Sequence, residues 1–419
     1  MNSPSSQPTV SPTRPPLPEP PAAQSPGVPA GPPPRDLTVM KALYFFYFSA
    51  YGIFATYLNL YYRSIGLSGI QIGWLSAVVP AVAIVSGPLW GLLNDRVGRP
   101  RMQLAVAAAG SILVMLAIPV PSALIALLPL AGLYSLFNST IMPIIDTTTI
   151  NILGSRRDRY GRQRIWGTVG FILTTWVTGQ LTGQLGLRTI FPIYAVVMLG
   201  LLAALRFLPR QRLHLSLRPQ GGLVRMVTQP KWLFFSLSLF FLGLSISGMN
   251  NFLGISLKMA GGSDRLVGSV WSLAALAEIP VLYFSAYLIR NLGLRRMLVV
   301  AFLVYAVRFA LYAVMPSPEW ALPLSLMHGF TFGLYWVASV MFINRMAPDH
   351  LKTTSQGLFL AITYLANVLG APFGGAMLDR IGPSALFAVY SGFAFIGLIV
   401  LLAGFRFARE PSPGEAVAE

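Results

Sequence analysis

The sequence predicts an all-α integral membrane protein of twelve transmembrane helices, arranged as two pseudo-symmetric six-helix bundles. Three observations carry that expectation: a composition too apolar for water, a series of apolar runs of membrane length, and a repeat that lays the second six runs over the first.

Of the 419 residues, 55% are hydrophobic and 10% charged, against roughly 45–50% and about 25% in soluble domains. A water-soluble fold has nowhere to hide that much apolar surface. Taking basic and turn-forming residues as boundaries, spans fall at about 42–63, 69–94, 101–120, 124–151, 164–186, 189–208, 231–258, 265–290, 296–315, 319–345, 353–378 and 383–407. At about 1.5 Å of rise per residue, runs of this kind reach across a hydrocarbon layer of roughly 30 Å. The domain organisation follows: a Pro-rich tail over 1–36 that cannot build a core, a six-helix half over 37–208, a linker over 209–230, a second half over 231–408 and a short tail over 409–419.

The net charge of +17 would point to nucleic acid if it were spread over a soluble surface, but here it sits in short loops. The side shared by both termini holds 24 of the 30 lysines and arginines and the opposite side five, with Arg308 left inside a span. The positive-inside rule then makes both ends cytoplasmic. With no cysteine and three scattered histidines, disulfides, thiol catalysis and metal-ligand spacing have no basis, and no cofactor is expected. No nucleotide-binding loop or nucleophile elbow is present, so an enzyme is not expected.

Internal repetition supports the two halves. The segment Asp95-Arg96-Val-Gly98-Arg99-Pro-Arg101 lies opposite Arg290-Asn-Leu-Gly293-Leu-Arg295-Arg296, with Gly98 and Arg101 facing Gly293 and Arg296 at an offset of 195 residues. Two related halves about a central cavity are what alternating access requires.

Charge inside the spans is scarce enough to count. Only Asp146 and Glu278 among the acids fall well inside, where an unpaired carboxylate costs at least a few kcal/mol. Glu278 and Arg308 each stand twelve residues from a cytoplasmic boundary, about 18 Å deep, and His328 lies roughly 13 Å from the other boundary. All three reach the midplane, where solute and coupling ion bind in transporters of two-repeat design. One reading makes Glu278 a proton acceptor that alternates between a protonated and an Arg308-paired form, with His328 as a relay; the other is a permanent ion pair with a packed histidine. Asp146 and Arg164 can meet across the hairpin between spans 4 and 5, either gripping a solute or clamping the hairpin. Asn250, Asn251 and Gln356 are cavity-facing groups or interhelix glue. Tyr51 and Trp336 offer rings for stacking or for packing.

Several of these segments match a known pattern. The run Gly91…Asp95-Arg96…Gly98-Arg99 resembles the loop signature of the major facilitator superfamily, which implies a charge network that locks one conformer. Tyr160-Gly161-Arg162-Gln163-Arg164-Ile-Trp166-Gly167 through Phe171, Leu326-Met-His328-Gly329-Phe-Thr-Phe-Gly333, and Gln356-Gly357 through Gly374-Gly375-Ala-Met-Leu-Asp379-Arg380-Ile-Gly382 resemble the branch of oligosaccharide, nucleoside and phenylpropionate proton symporters. In its lactose-permease-like members an acid of span 4 and an arginine opening span 5 bind sugar, which implies that role for Asp146 and Arg164. Arg308 and His328 match the arginine of span 9 and the histidine of span 10. Phe171 stands where the pattern has a sugar-stacking tryptophan, Thr331 where it has a glutamate, and Glu278 lies one turn later than the pattern's other glutamate.

The resemblance implies a secondary transporter working by alternating access. The expected function is proton-coupled symport of a small polar organic solute (nucleoside, glycoside or aromatic acid); the rival is a proton-driven exporter of hydrophobic compounds. Expected partners are the solute, the proton and the lipid bilayer, without nucleic acid, for a monomer in a bacterial-type cytoplasmic membrane.

Overall fold

A computed structural model describes residues 34–208, 226–348 and 351–407, and all of its regular structure is helical. Residues 1–33 of the expected N-terminal tail, the C-terminal tail, most of the linker, and the side chain of Asp95 lie outside that description. Among the described residues, nine helices are long and apolar enough to cross a membrane, or ten when the bent pair Pro318–Ser325 and Gly329–Met346 counts as one span. The 56-residue run Lys352–Phe407 is itself broken at Gly382 and supplies two segments. Tyr160–Leu185 adds a further helix of 26 residues, so the whole is consistent with twelve spans.

The boundaries differ from the sequence reading in two instructive places. The first helix starts at Pro34, inside the stretch read as tail. Proline is preorganised for a first helical turn, and Asp36 in that turn suits the positive end of the helix dipole. Tyr160–Leu185 starts earlier than position 164, so Arg164 lies on the helix and not at its mouth.

Tyr160–Leu185 also shows how lipid inverts the usual pattern. Its buried face is small or polar, with Gln163, Gly167, Gly170, Thr175, Thr178 and Thr182, while Leu173, Trp176 and Val177 are exposed. Apolar side chains gain nothing by leaving lipid, so close packing and internal hydrogen bonds hold such helices together.

Backbone geometry displays the repeat. Six of the seven positive-φ glycines among the described residues fall in pairs, Gly66, Gly98 and Gly186 in the first half with Gly261, Gly293 and Gly382 in the second, at offsets of 195, 195 and 196 residues, and Gly154 is the seventh. Each marks a turn between consecutive spans where a side chain would be strained.

The halves meet through the pairs Pro34–Ser64 with Pro230–Met259, Gly69–Val97 with Lys352–Phe407, and Tyr160–Leu185 with Asp264–Tyr283. The polar links are concentrated toward the end opposite the basic loops. Asp379 accepts hydrogen bonds from the backbone N–H of Gly69 at 2.8 Å and of Ile70 at 3.0 Å, and it faces Arg63 at 3.5 Å. Asn59 donates to Asn251 Oδ1 at 3.1 Å, and Thr175 and Ser272 share a hydrogen bond of 2.7 Å. Glycines permit the crossings: a Cβ on Gly73 would strike the carbonyl of Ala371, and one on Gly268 would strike Tyr57.

Candidate functional site

The predicted midplane groups form one connected chain. Arg308 Nη1 donates to His328 Nδ1 at 2.8 Å, and His328 Nε2 lies 2.9 Å from Glu278 Oε1. Arginine has no acceptor, so Nδ1 must accept and the imidazole proton sits on Nε2, donated to the carboxylate. His328 is therefore neutral while Arg308 faces it, and the one positive and one negative charge of the cluster lie at its two ends. The sequence reading of a direct Arg308–Glu278 pair is corrected in this conformation, because the imidazole occupies the space between them.

Each member is held from behind. Arg308 is 1% exposed; it also donates to Thr331 Oγ1 at 3.2 Å and to the Tyr312 hydroxyl at 3.1 Å. Thr331, the departure from the family glutamate, thus serves as a neutral acceptor for the buried guanidinium. The Glu278 side chain retains 17% of its exposure, making the acid the accessible end of an otherwise sealed chain.

Helix 318–346 is shaped to place the histidine. It bends by 41° between Pro318–Ser325 and Gly329–Met346, and Gly329–Gly333 is a π-helical turn immediately after His328. Such turns are rare and are frequently found at functional sites. A Cβ on Gly329 would strike the carbonyl of Ala277, so glycine there brings this helix against the one that bears Glu278. The π turn then aligns an aromatic column: His328 stacks on Phe332 at 5.6 Å with planes 2° apart, and Phe332 on Trp336 at 5.6 Å. Trp271 meets the imidazole edge-on at 6.3 Å.

The first half holds its charges differently. Asp146 Oδ1 accepts from the hydroxyls of Tyr44 at 2.6 Å and Tyr160 at 2.8 Å. The expected Asp146–Arg164 clamp is corrected: no ion pair joins them among the described residues, and the Arg164 guanidinium lies 3.7 Å over the ring of Phe48. Two tyrosine hydroxyls satisfy the acid, and an aromatic face attracts the cation, so neither needs the other. Phe171 is half-buried beside Tyr51, whose ring is 6.4 Å away.

The remaining expected residues are dispersed. Asn251 Nδ2 donates to the Ser247 carbonyl at 2.8 Å, and its Oδ1 accepts from Asn59, so its amide is engaged in joining the halves. Asn250 is exposed, as are Tyr51 and Trp336. Gln356 donates to Asn344 at 2.9 Å near the basic end, away from the midplane chain. Of the loop residues, Gly91 lies on the Gly69–Val97 helix, Arg96 and Arg99 are exposed, and Gly98 turns with φ of +60°. The expected charge network there involves Asp95 and falls outside the described side chains.

Sequence reading passed over Tyr44, Trp271, Tyr312 and Phe332. It also passed over Asn59 and Asn367, which the reasoning applied to Asn251 would have found, both being amides in apolar runs.

The MFS_1 like family matches residues 37–389. The maltose permease of Geobacillus stearothermophilus is 27% identical over 388 residues, covering 90% of this chain and 96% of the relative. An Escherichia coli (strain K12) protein named "Probable 3-phenylpropionic acid transporter" is 26% identical over 365 residues, covering 84% and 89%. Among solved structures, the nucleoside transporter NupG superposes with a TM-score of 0.77 at 17% identity, covering 89% of this chain and 99% of that one.

Proposed function

The chain belongs to the MFS_1 like family of major facilitator transporters, and from that premise we propose that it is a proton-coupled symporter of a small polar organic solute. The observation that carries this reading is the chain Arg308, His328, Glu278, sealed at its cationic end and accessible at its acidic end.

The chemistry follows from the tautomer. Protonating Glu278 removes the charge that accepts the Nε2–H and leaves Arg308 as the uncompensated charge of the cluster. A solute carrying hydroxyl or carboxylate oxygens can then bind at the accessible Glu278 end of the cluster, whose net charge has become positive. Release of the proton restores the neutral pair and disfavours the solute, so proton and solute are linked through one set of contacts. The column His328, Phe332, Trp336 faced by Trp271 supports a solute with a flat ring. In the first half, Tyr51 beside Phe171, Arg164 on Phe48 and Asp146 between two tyrosines are the groups available to a solute. A nucleoside, a glycoside or an aromatic acid fits this set, and relatives named as permeases favour uptake over export of hydrophobic compounds.

Sidedness follows the basic loops, which put both termini in the cytoplasm of a bacterial-type inner membrane. The polar fastenings between halves then lie on the outer side, which supports an inward-facing state. Asp379, bonded to the start of the Gly69–Val97 helix, acts as an outer latch.

The test is uptake of a panel of nucleosides, glycosides and aromatic acids into proteoliposomes with an acidic exterior. A member of the panel should accumulate above its external concentration, and collapsing the pH gradient should stop it. Accumulation that survives with sodium alone, or none with any of the three classes, would reject the proposal.

A further inference from the structure

A cavity whose described lining includes none of the midplane chain opens at the basic end of the C-terminal half with a volume of about 530 Å³. That is within the roughly 300–1,000 Å³ typical of small-molecule sites. Four cations line it: Lys231 from the start of Pro230–Met259, Arg295 and Arg296 just beyond the Gly293 break, and Arg345 from the last turn of Leu334–Met346. No carboxylate is among its described lining residues. The deeper wall is apolar, formed by Phe235, Phe342, Leu401 and Phe405.

Two details make this more than a basic surface. Gln229 gives no side-chain cap to the Pro230–Met259 helix, and the start of that helix brings Gln229 and Lys231 into the pocket lining. Such a terminus favours an anion through its dipole and its orphan donors. The Arg295 guanidinium is carried over the ring of Phe405 at 5.4 Å, which fixes a planar donor against the pocket wall. The repeat does not reproduce the arrangement. At the offset of 195 residues the first half has Asp36 opposite Lys231 and Ile150 opposite Arg345, so the pocket belongs to the second half alone.

We infer that this pocket binds the phosphate headgroup of an anionic phospholipid. Its level at the helix ends is that of the headgroups, its cations match a phosphodiester, and its apolar wall continues toward the acyl region. A soluble phosphate would have no use for Phe235, Phe342 and Leu401. Basic pockets between helices at a charged membrane face recognise headgroups in this way.

The experiment measures thermal stabilisation and lipid retention of the purified full-length chain titrated with phosphatidylglycerol, phosphatidylcholine and inorganic phosphate. Phosphatidylglycerol should raise the Tm at lower concentration than phosphatidylcholine. The triple variant Lys231→Gln/Arg296→Gln/Arg345→Gln should bind it roughly 100-fold more weakly, about fivefold for each cation lost. A control with the same charge loss elsewhere, Arg156→Gln/Arg159→Gln/Arg162→Gln, should keep the wild-type response. Equal responses to both lipids, an unchanged response in the first variant, equal losses in both variants, or saturation by inorganic phosphate alone would overturn the inference. The lipid-free Tm of each variant separates misfolding from lost binding.

Discussion

In the C-terminal half the embedded charges are joined: Arg308, His328 and Glu278 form one chain in which every link depends on the next. In the N-terminal half the embedded acid and base stand apart, Asp146 capped by two tyrosines and Arg164 lying on Phe48. The scaffold is nearly the same, as the paired glycine turns show. Yet at the offset of 195 residues the first-half positions opposite Glu278, Arg308 and His328 are Ala83, Leu113 and Leu133, none of which carries charge. Duplication supplied the frame, and the chemistry was placed on one side of it. A joined chain can respond as a unit to a single proton; separated groups can only tune contacts one at a time.

The sharpest way to break this comparison is to neutralise one group in each half. Glu278→Gln should abolish uphill accumulation, which in the intact protein reaches about tenfold per unit of pH gradient for one proton per solute. Solute exchange across the same proteoliposomes should persist. Tyr160→Phe, which removes one donor from Asp146, should leave accumulation intact and cost only about 1 kcal/mol of solute binding.

Stability gives the next largest contrast. Arg308→Met strips a buried ionic chain of its cation and should cost about 3–5 kcal/mol. Adding Glu278→Gln should recover part of that loss, with a coupling of at least about 0.5 kcal/mol, read by denaturation in detergent. Arg164→Gln loses a cation–π contact worth about 0.5–1 kcal/mol, and adding Asp146→Asn should show no coupling.

A smaller effect concerns the fastenings between halves. Asp379→Asn weakens a charged helix cap and an ion pair, worth about 1 kcal/mol together. The chain has no cysteine, so a single Ser272→Cys reports on the junction with Thr175. Its maleimide labelling from the outer side should rise about fivefold when Asp379 is changed, and no rise would remove Asp379 from the latch.

The fold was largely legible because lipid imposes it: apolar length fixes the spans, and the offset between Gly98 and Gly293 fixes the repeat. The depth of Glu278, Arg308 and His328 was legible too, since helical rise turns residue counts into distance. Their order was not. Which nitrogen of His328 faces which neighbour depends on a π turn and a bend at Gly329, neither of which periodicity reveals. The capping of Asp146 by Tyr44 joins residues 102 positions apart, a pairing that spacing along the chain cannot supply. Asp379 lay within a segment quoted for its resemblance, but its part in holding Gly69 and Ile70 depends on two helices from different halves meeting end to side.

The most direct test records the pH inside proteoliposomes as a transported solute is added without any imposed gradient. Wild-type protein should acidify the lumen in step with solute entry, while Glu278→Gln should carry solute inward with no pH change. Equal acidification by both proteins would contradict the account, because the proton would then be crossing without the one accessible acid of the chain.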